Sequence, residues 1–252
     1  MEPLLEVRNL TKVFKKGSSG EFTAVNGVNF CLYPNETLGI VGESGSGKST
    51  VAKMIARLLE TSGGEIFLQG EDITHAKGKT LRDMYRQFQM VFQSPAASFD
   101  PRRTLGDGIG ESLKNSKTAK KEIKKRVREL LIQCGLPEDY DKRYPHEVSG
   151  GECQRAAIAR ALAIQPEILI CDEATSALDV TVQKQIIELL GKLKKERGMS
   201  YLFICHDLAL VQMFCDRVVV MQEGRIVEEG RPDEIIMHPK NDYTKNLVDA
   251  VL

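Results

Sequence analysis

The stretch Gly42-Glu43-Ser44-Gly45-Ser46-Gly47-Lys48-Ser49-Thr50 constrains this chain more than any other. It follows Thr37-Leu38-Gly39-Ile40-Val41, an apolar run that reads as a buried strand. It precedes Val51, Met54, Ile55, Leu58 and Leu59, which recur at helical spacing. Strand, glycine-rich turn and helix in that order give a Gly-x-x-x-x-Gly-Lys-Ser pattern a mechanism. The glycines let consecutive backbone N–H groups curl around phosphate oxygens, and the helix adds the positive end of its dipole. Lys48 can then reach the β and γ phosphates of a nucleotide, and the Ser49 hydroxyl can bind Mg²⁺.

The chain has 252 residues, enough for one large domain or a domain with a sizeable insertion. Thirty-five Lys and Arg balance thirty-five Asp and Glu, so no global field points to nucleic acid or an anionic surface. The start, Met1-Glu2-Pro3-Leu4-Leu5-Glu6, lacks a basic segment followed by an apolar one, and no secretory leader is expected there. No apolar run approaches bilayer length, so a soluble chain is expected. The cysteines Cys31, Cys134, Cys153, Cys171, Cys205 and Cys215 are scattered without a CxxC pair, the pattern of reduced core thiols.

Before the glycine-rich turn, Leu5, Val7 and Leu10, then Val28, Phe30 and Leu32, alternate as two half-buried strands do. Glu65-Ile66-Phe67-Leu68 and Met90-Val91-Phe92 read as further strands, the second ending at Gln93. A small antiparallel portion followed by alternating strands and helices is the signature of an α/β core with an attached β-sheet. Residues 105–165 break that pattern and read as all-helical. Within them, 120–133 carries Ile123, Val127, Leu130 and Leu131 on one face and Lys and Arg on the other, a solvated basic face without aromatics for base stacking. Ser149-Gly150-Gly151 opens another helix. The α/β pattern resumes at Ile168-Leu169-Ile170-Cys171, followed by Asp172-Glu173, a helix over 180–195, strand 201–205, His206-Asp207 and a helix to Phe214. A hairpin over 217–228 turns at Glu223-Gly224, and 232–252 reads as two short helices broken at His238-Pro239.

The chemistry gathers at strand ends. Asp172 would project from the carboxyl edge of the sheet beside the phosphate loop and hold Mg²⁺, and Glu173 can polarise an attacking water. Gln93 and His206 lie at two more strand ends, placing four polar side chains on one edge. Ser149, as an N-cap followed by two glycines, makes a second anion-binding helix terminus. Two such termini for one triphosphate suggest that each nucleotide is gripped by two molecules.

Taken in order, Gly42 to Thr50, Gln93, Val148-Ser149-Gly150-Gly151-Glu152, Asp172-Glu173, Ser176-Ala177-Leu178-Asp179 and His206 resemble the ATP-binding cassette of ABC transporters. The resemblance covers nearly the whole chain. It implies a P-loop NTPase fold of the ABC ATPase type: a RecA-like α/β core with an antiparallel β-subdomain (about 1–104 and 166–230), an inserted helical subdomain (about 105–165) and a helical extension (231–252). It further implies ATP and Mg²⁺ as ligands and a head-to-tail dimer in which the phosphate loop of one subunit and the Ser149-Gly150-Gly151 signature of the other hold each ATP. By the same resemblance Glu173 is the catalytic base, with Lys48 and His206 acting on the γ-phosphate. Ser49, Asp172 and Gln93 bind the metal, Gln93 linking it to a membrane subunit, and Asp179 lies at the dimer seam. Phe14 sits where the family stacks an aromatic on adenine. Phe22 is a rival for that role, and either could be core.

Two positions depart from the family pattern. Glu152 stands where the signature usually has Gln, bringing a carboxylate near the partner's nucleotide, and Ala174 stands where Pro often follows the catalytic Glu. Ser98-Phe99-Asp100-Pro101-Arg102-Arg103, His238-Pro239, Tyr243-Thr244 and Leu247 are similar to the peptide/nickel importer branch. Residues 201–221, with Phe214-Cys215-Asp216-Arg217, resemble the second ATPase of nickel importers, and peptide importers look close as well. The expectation is an importer ATPase on the cytoplasmic face of two separate membrane permeases, served indirectly by an extracytoplasmic binding protein. The alternative is a soluble cassette acting on nucleic acid or ribosomes, although its usual tandem cassettes, coiled coils or zinc modules are missing from this sequence. A GTPase has only a chance Asp107-Gly108-Ile109-Gly110 match and no guanine-reading motif.

Overall fold

The computed structural model describes residues 2–15, 20–115, 118–176 and 178–250; Ala177, within the stretch 176–179, lies outside the described residues. The chain opens with β1 (Leu5–Lys15) and β2 (Glu21–Leu32), antiparallel, with Leu5 opposite Leu32 and Phe14 opposite Phe22. Both strands run past the alternating apolar residues seen in sequence, because ladder pairing rather than burial holds their distal ends. β3 (Thr37–Val41) leads through the phosphate loop into α1 (Lys48–Ile55). β4 (Gly63–Leu68) then pairs with β1, and β5 (Glu71–Asp72) with β4, giving a four-stranded sheet of order β2-β1-β4-β5.

The helix α2 (Gly78–Gln87), absent from the sequence reading, buries Met84 with Leu81 and Tyr85 packed beside it, and it starts at Lys77 without a capping side chain to mark its beginning. It runs into β6 (Phe88–Val91). The segment that breaks the α/β pattern contributes α3 (Leu105–Ile109), α4 (Glu111–Asn115), α5 (Lys120–Gln133), two 3₁₀ turns and α6 (Gly150–Leu162). After it come β7 (Ile168–Asp172), α7 (Val180–Arg197), β8 (Ser200–Ile204) and α8 (Leu208–Phe214). β9 (Arg217–Gln222), β10 (Arg225–Gly230), α9 (Pro232–Met237) and α10 (Asp242–Asp249) complete the order.

The second sheet runs β10-β9-β3-β8-β7-β6. Its five strands from β9 to β6 are parallel, and β10 returns antiparallel through Glu223-Gly224, both at positive φ, as a two-residue hairpin of the primed type requires. Every residue of β3, β7 and β8 is buried, the continuous apolar pattern of parallel strands covered on both faces. Along β7, Ile168 and Ile170 join the core facing α1 and the antiparallel sheet, whereas Leu169 and Cys171 join the core facing α6, α7 and α8. The apolar faces of α5 and α6 belong to that second core, so the helical segment is welded to the sheet rather than tethered to it. The six cysteines are free thiols, four of them buried. Among the described residues no helix is long and apolar enough to cross a membrane.

Leu38, wholly buried in β3 between β8 and β9, tests the central strand. Leu38→Ala is expected to cost about 2–5 kcal/mol, read as a lower urea midpoint with unchanged slope.

Candidate nucleotide site

The phosphate loop is gripped from three sides. A Cβ on Gly42 would lie 2.1 Å from the Met221 carbonyl oxygen, and one on Gly47 2.5 Å from that of Ala24, so glycine is obligatory where β9 and β2 press on the loop. The Gly224 N–H, in the hairpin turn, donates to the Ser46 carbonyl at 3.0 Å, and the Gly224 carbonyl accepts from Asn26 N–H at 2.8 Å. From the tail, the Tyr243 hydroxyl accepts from the Glu43 N–H at 2.8 Å. The sequence signalled none of these three hydrogen bonds, since each joins residues distant along the chain.

Lys48 opens α1 and is only 3% exposed. Its ammonium donates to the Gly42 and Glu43 carbonyls, both at 2.7 Å, and to Ser46 Oγ at 3.3 Å. Burial pulls its pKa down, and the Glu173 carboxylate is the largest influence opposing that. A desolvated cation hydrogen-bonded to neutral oxygens, at a helix start with no acidic residue in its first turn, suits a polyanion.

The parallel order carries the other groups to the same edge. Asp172 ends β7, 5% exposed, and accepts from Ser49 Oγ at 2.7 Å. Burial raises its carboxyl pKa, with the Ser49 hydrogen bond pulling the other way. Hydroxyl and carboxylate oxygens side by side are the donor type that Mg²⁺ takes, so the pair fits that ion. Glu173 adopts φ +48°, a left-handed conformation that costs a non-glycine residue of order 1–3 kcal/mol. Its N–H donates to the Ile204 carbonyl at 3.0 Å, holding the turn. Gln93 Nε2, beyond β6, donates to Glu173 Oε2 at 2.7 Å and to Ser176 Oγ at 3.3 Å, so here the glutamine engages Glu173 rather than the Ser49–Asp172 pair. His206 stands exposed just past β8, between Cys205, whose thiol burial pushes up to about 12, and Asp207, the N-cap of α8. Among the described residues no cluster of three or more His, Cys, Asp or Glu could hold a metal by itself.

Ser149 caps α6 in a reciprocal box: its Oγ accepts from Glu152 N–H at 3.3 Å, and Glu152 Oε2 accepts from Ser149 N–H at 2.8 Å. Tyr140 donates to Glu152 Oε1 at 2.7 Å. The carboxylate that looked in sequence like an intruder at the partner's nucleotide is thus occupied within its own helix terminus. A Cβ on Gly151 would meet Val182 Cγ1 at 2.6 Å, whereas one on Gly150 would make an ordinary 3.6 Å contact with Leu178. Gly151 therefore admits α7 as well as leaving the helix tip bare. Asp179, exposed, caps α7 by accepting from Val182 N–H at 3.0 Å. Phe14 and Phe22 face each other across β1 and β2, 37% and 48% exposed, so neither is core.

A family model described as ABC transporter matches residues 25–176. The chain belongs to the ABC transporter family. This ABC ATPase is 47% identical over 99% of its length to the oligopeptide transport ATP-binding protein OppF of Bacillus subtilis, covering 83% of that protein. It is 41% identical to the dipeptide transport ATP-binding protein DppF of Lactococcus lactis, over 98% of this chain and 81% of that one. Among solved structures it resembles a dimeric ATP-binding cassette in a post-hydrolysis state bound to ADP and Pi, with 30% identity, a TM-score of 0.83 and coverage of 90% of this chain and 98% of that one.

Hydrogen bonds from Ser149 N–H and Tyr140 hold the Glu152 carboxyl below the usual glutamate range. Its contribution to stability is therefore present above the unfolded value of about 4.3 and fades as pH falls through the lower folded value. Glu152→Ala is expected to lower stability at neutral pH by about 0.3–1.5 kcal/mol, with the gap from the parent closing in parallel urea titrations as pH falls below the usual glutamate range.

Proposed function

We propose that the chain is the ATP-hydrolysing subunit of a peptide importer, seated on the cytoplasmic face of two separate membrane permeases and fed by an extracytoplasmic binding protein. One observation carries the chemistry: Lys48, the Ser49–Asp172 pair and the Gln93–Glu173 pair converge on one sheet edge. Relatives named for oligopeptide and dipeptide transport favour peptides as cargo over nickel, and transport over nucleic-acid work.

Glu173 accepts the proton of a water whose oxygen attacks the γ-phosphorus as the bond to the β–γ bridging oxygen breaks, leaving ADP and phosphate. Gln93 fixes the Glu173 carboxylate, and Lys48 draws negative charge on the leaving side. Ser49 and Asp172, with Gln93 nearby, would hold Mg²⁺, which supplies charge neutralisation for the phosphates. His206 touches the γ-phosphate, and Phe14, flanked by Phe22, stacks on adenine. Ser149, Gly150 and Gly151 of a second cassette, equal or homologous, complete each site, with Asp179 at the seam. Closure on ATP and reopening on hydrolysis then drive the permeases.

Glu173→Gln is expected to bind ATP, hydrolyse it at least about 100-fold more slowly and accumulate as a dimer in size-exclusion chromatography with ATP. Hydrolysis at the parental rate would remove Glu173 from this role. Ser149→Arg is expected to cut turnover while leaving the monomer's ATP affinity unchanged; an equal loss of affinity would show that the signature acts within its own chain.

A further inference from the structure

The tail helix α10 is hydrogen-bonded to the phosphate loop through Tyr243. Tyr243 Oη takes the Glu43 N–H at 2.8 Å, while the carbonyl of that same peptide unit, Gly42's, takes the Lys48 ammonium at 2.7 Å, as does the Glu43 carbonyl of the next unit. Glu43 is therefore tied on one side to the tail and on the other to the lysine that faces the phosphates. Tyr243 is itself anchored: its N–H donates to Asn241 Oδ1 at 2.9 Å, and the Lys240 and Asn241 N–H groups donate to the two Glu228 carboxylate oxygens at 2.9 and 3.0 Å. Glu228 belongs to β10, whose hairpin turn holds the loop at Ser46. Behind Tyr243, Thr244, Leu247 and Val248 are buried.

We infer that Tyr243 is a positioning residue for nucleotide binding: by holding the planar Gly42–Glu43 peptide through its N–H it fixes that peptide's own carbonyl, the Gly42 oxygen that accepts from Lys48, and so presets the loop for the triphosphate. This rests on the nucleotide-site reading above and adds the tail to it. The hydroxyl touches the loop's first turn, where glycine-rich backbone has the most freedom to lose, so the fixed hydrogen bond lowers the ordering cost of binding. The ring alone cannot do this, because the contact is made by Oη.

The test compares the full chain with Tyr243→Phe, which deletes Oη and keeps the ring. Calorimetric binding of ATP with Mg²⁺, well below both melting temperatures, is expected to give a dissociation constant raised about two- to ten-fold, the ratio equivalent to about 0.4–1.4 kcal/mol and the range of one net hydrogen bond. KM should rise alike while kcat at saturating ATP stays within about two-fold. Amide hydrogen exchange at Glu43 should quicken in the variant. A lower melting temperature with unchanged ATP affinity would overturn the inference, assigning the hydroxyl to tail packing alone. Lys48→Ala, run in parallel, separates the two readings. Lost binding there beside parental binding in Tyr243→Phe sinks only the role of Tyr243; parental binding in Lys48→Ala sinks the nucleotide site and this inference together.

Discussion

A buried ammonium group organises this molecule. Lys48 is nearly excluded from water, and its described hydrogen bonds go to two carbonyls and a hydroxyl rather than to a carboxylate. Removing a cation from water is costly unless charge of the opposite sign is supplied. Glu173 and Asp172 supply some of it through space, which is why they oppose the fall in the lysine's pKa. The arrangement is stable enough to fold and incomplete enough to bind. A polyanion would bring the remaining negative charge, and the glycines leave the backbone bare beside the lysine.

That constraint explains the sheet order. Parallel strands put every carboxyl end on one edge, and β6, β7, β8 and β3 are adjacent there. Residues 80 or more positions apart in sequence, such as Gln93 and Glu173, thereby come within hydrogen-bond distance. The strands on either side of β3 also carry the core, so the site edge inherits its rigidity from residues buried on both faces. The left-handed turn at Glu173 is tolerable for the same reason: its N–H is locked to β8 through Ile204.

The strand ends that carry the candidate site were legible in sequence because each is local: Gly42 to Thr50 lies between β3 and α1, and Asp172-Glu173 at the end of β7. Helices with a broad apolar face, such as α5, were equally plain, with Lys120–Gln133 falling where the period places it. What escaped depends on topology. Tyr243 stood out only as part of a tail pattern, and its contact with Glu43 spans 200 positions. The distal ends of β1 and β2 were missed because pairing, not burial, sustains them, and with them went the cross-strand placing of Phe14 beside Phe22. Glu152 looks anomalous in sequence because its charge is evident there, whereas its reciprocal bonds with Ser149 depend on the geometry of the helix start.

The helix tips at Ser149 and Asp179 have a mechanical relation that neither motif reveals alone. Gly151 lets Val182 approach so closely that a methyl group could not intervene, and Gly150 abuts Leu178, so the start of α6 rests on the start of α7. Each tip is internally capped, Ser149 by Glu152 and Asp179 by Val182 N–H, which leaves little slack for one to move without the other. The glycine contact joins the start of α6 to α7, which leads to β8 and, two residues past its end, to His206. A load on either helix tip is therefore shared by packing across the glycine contact.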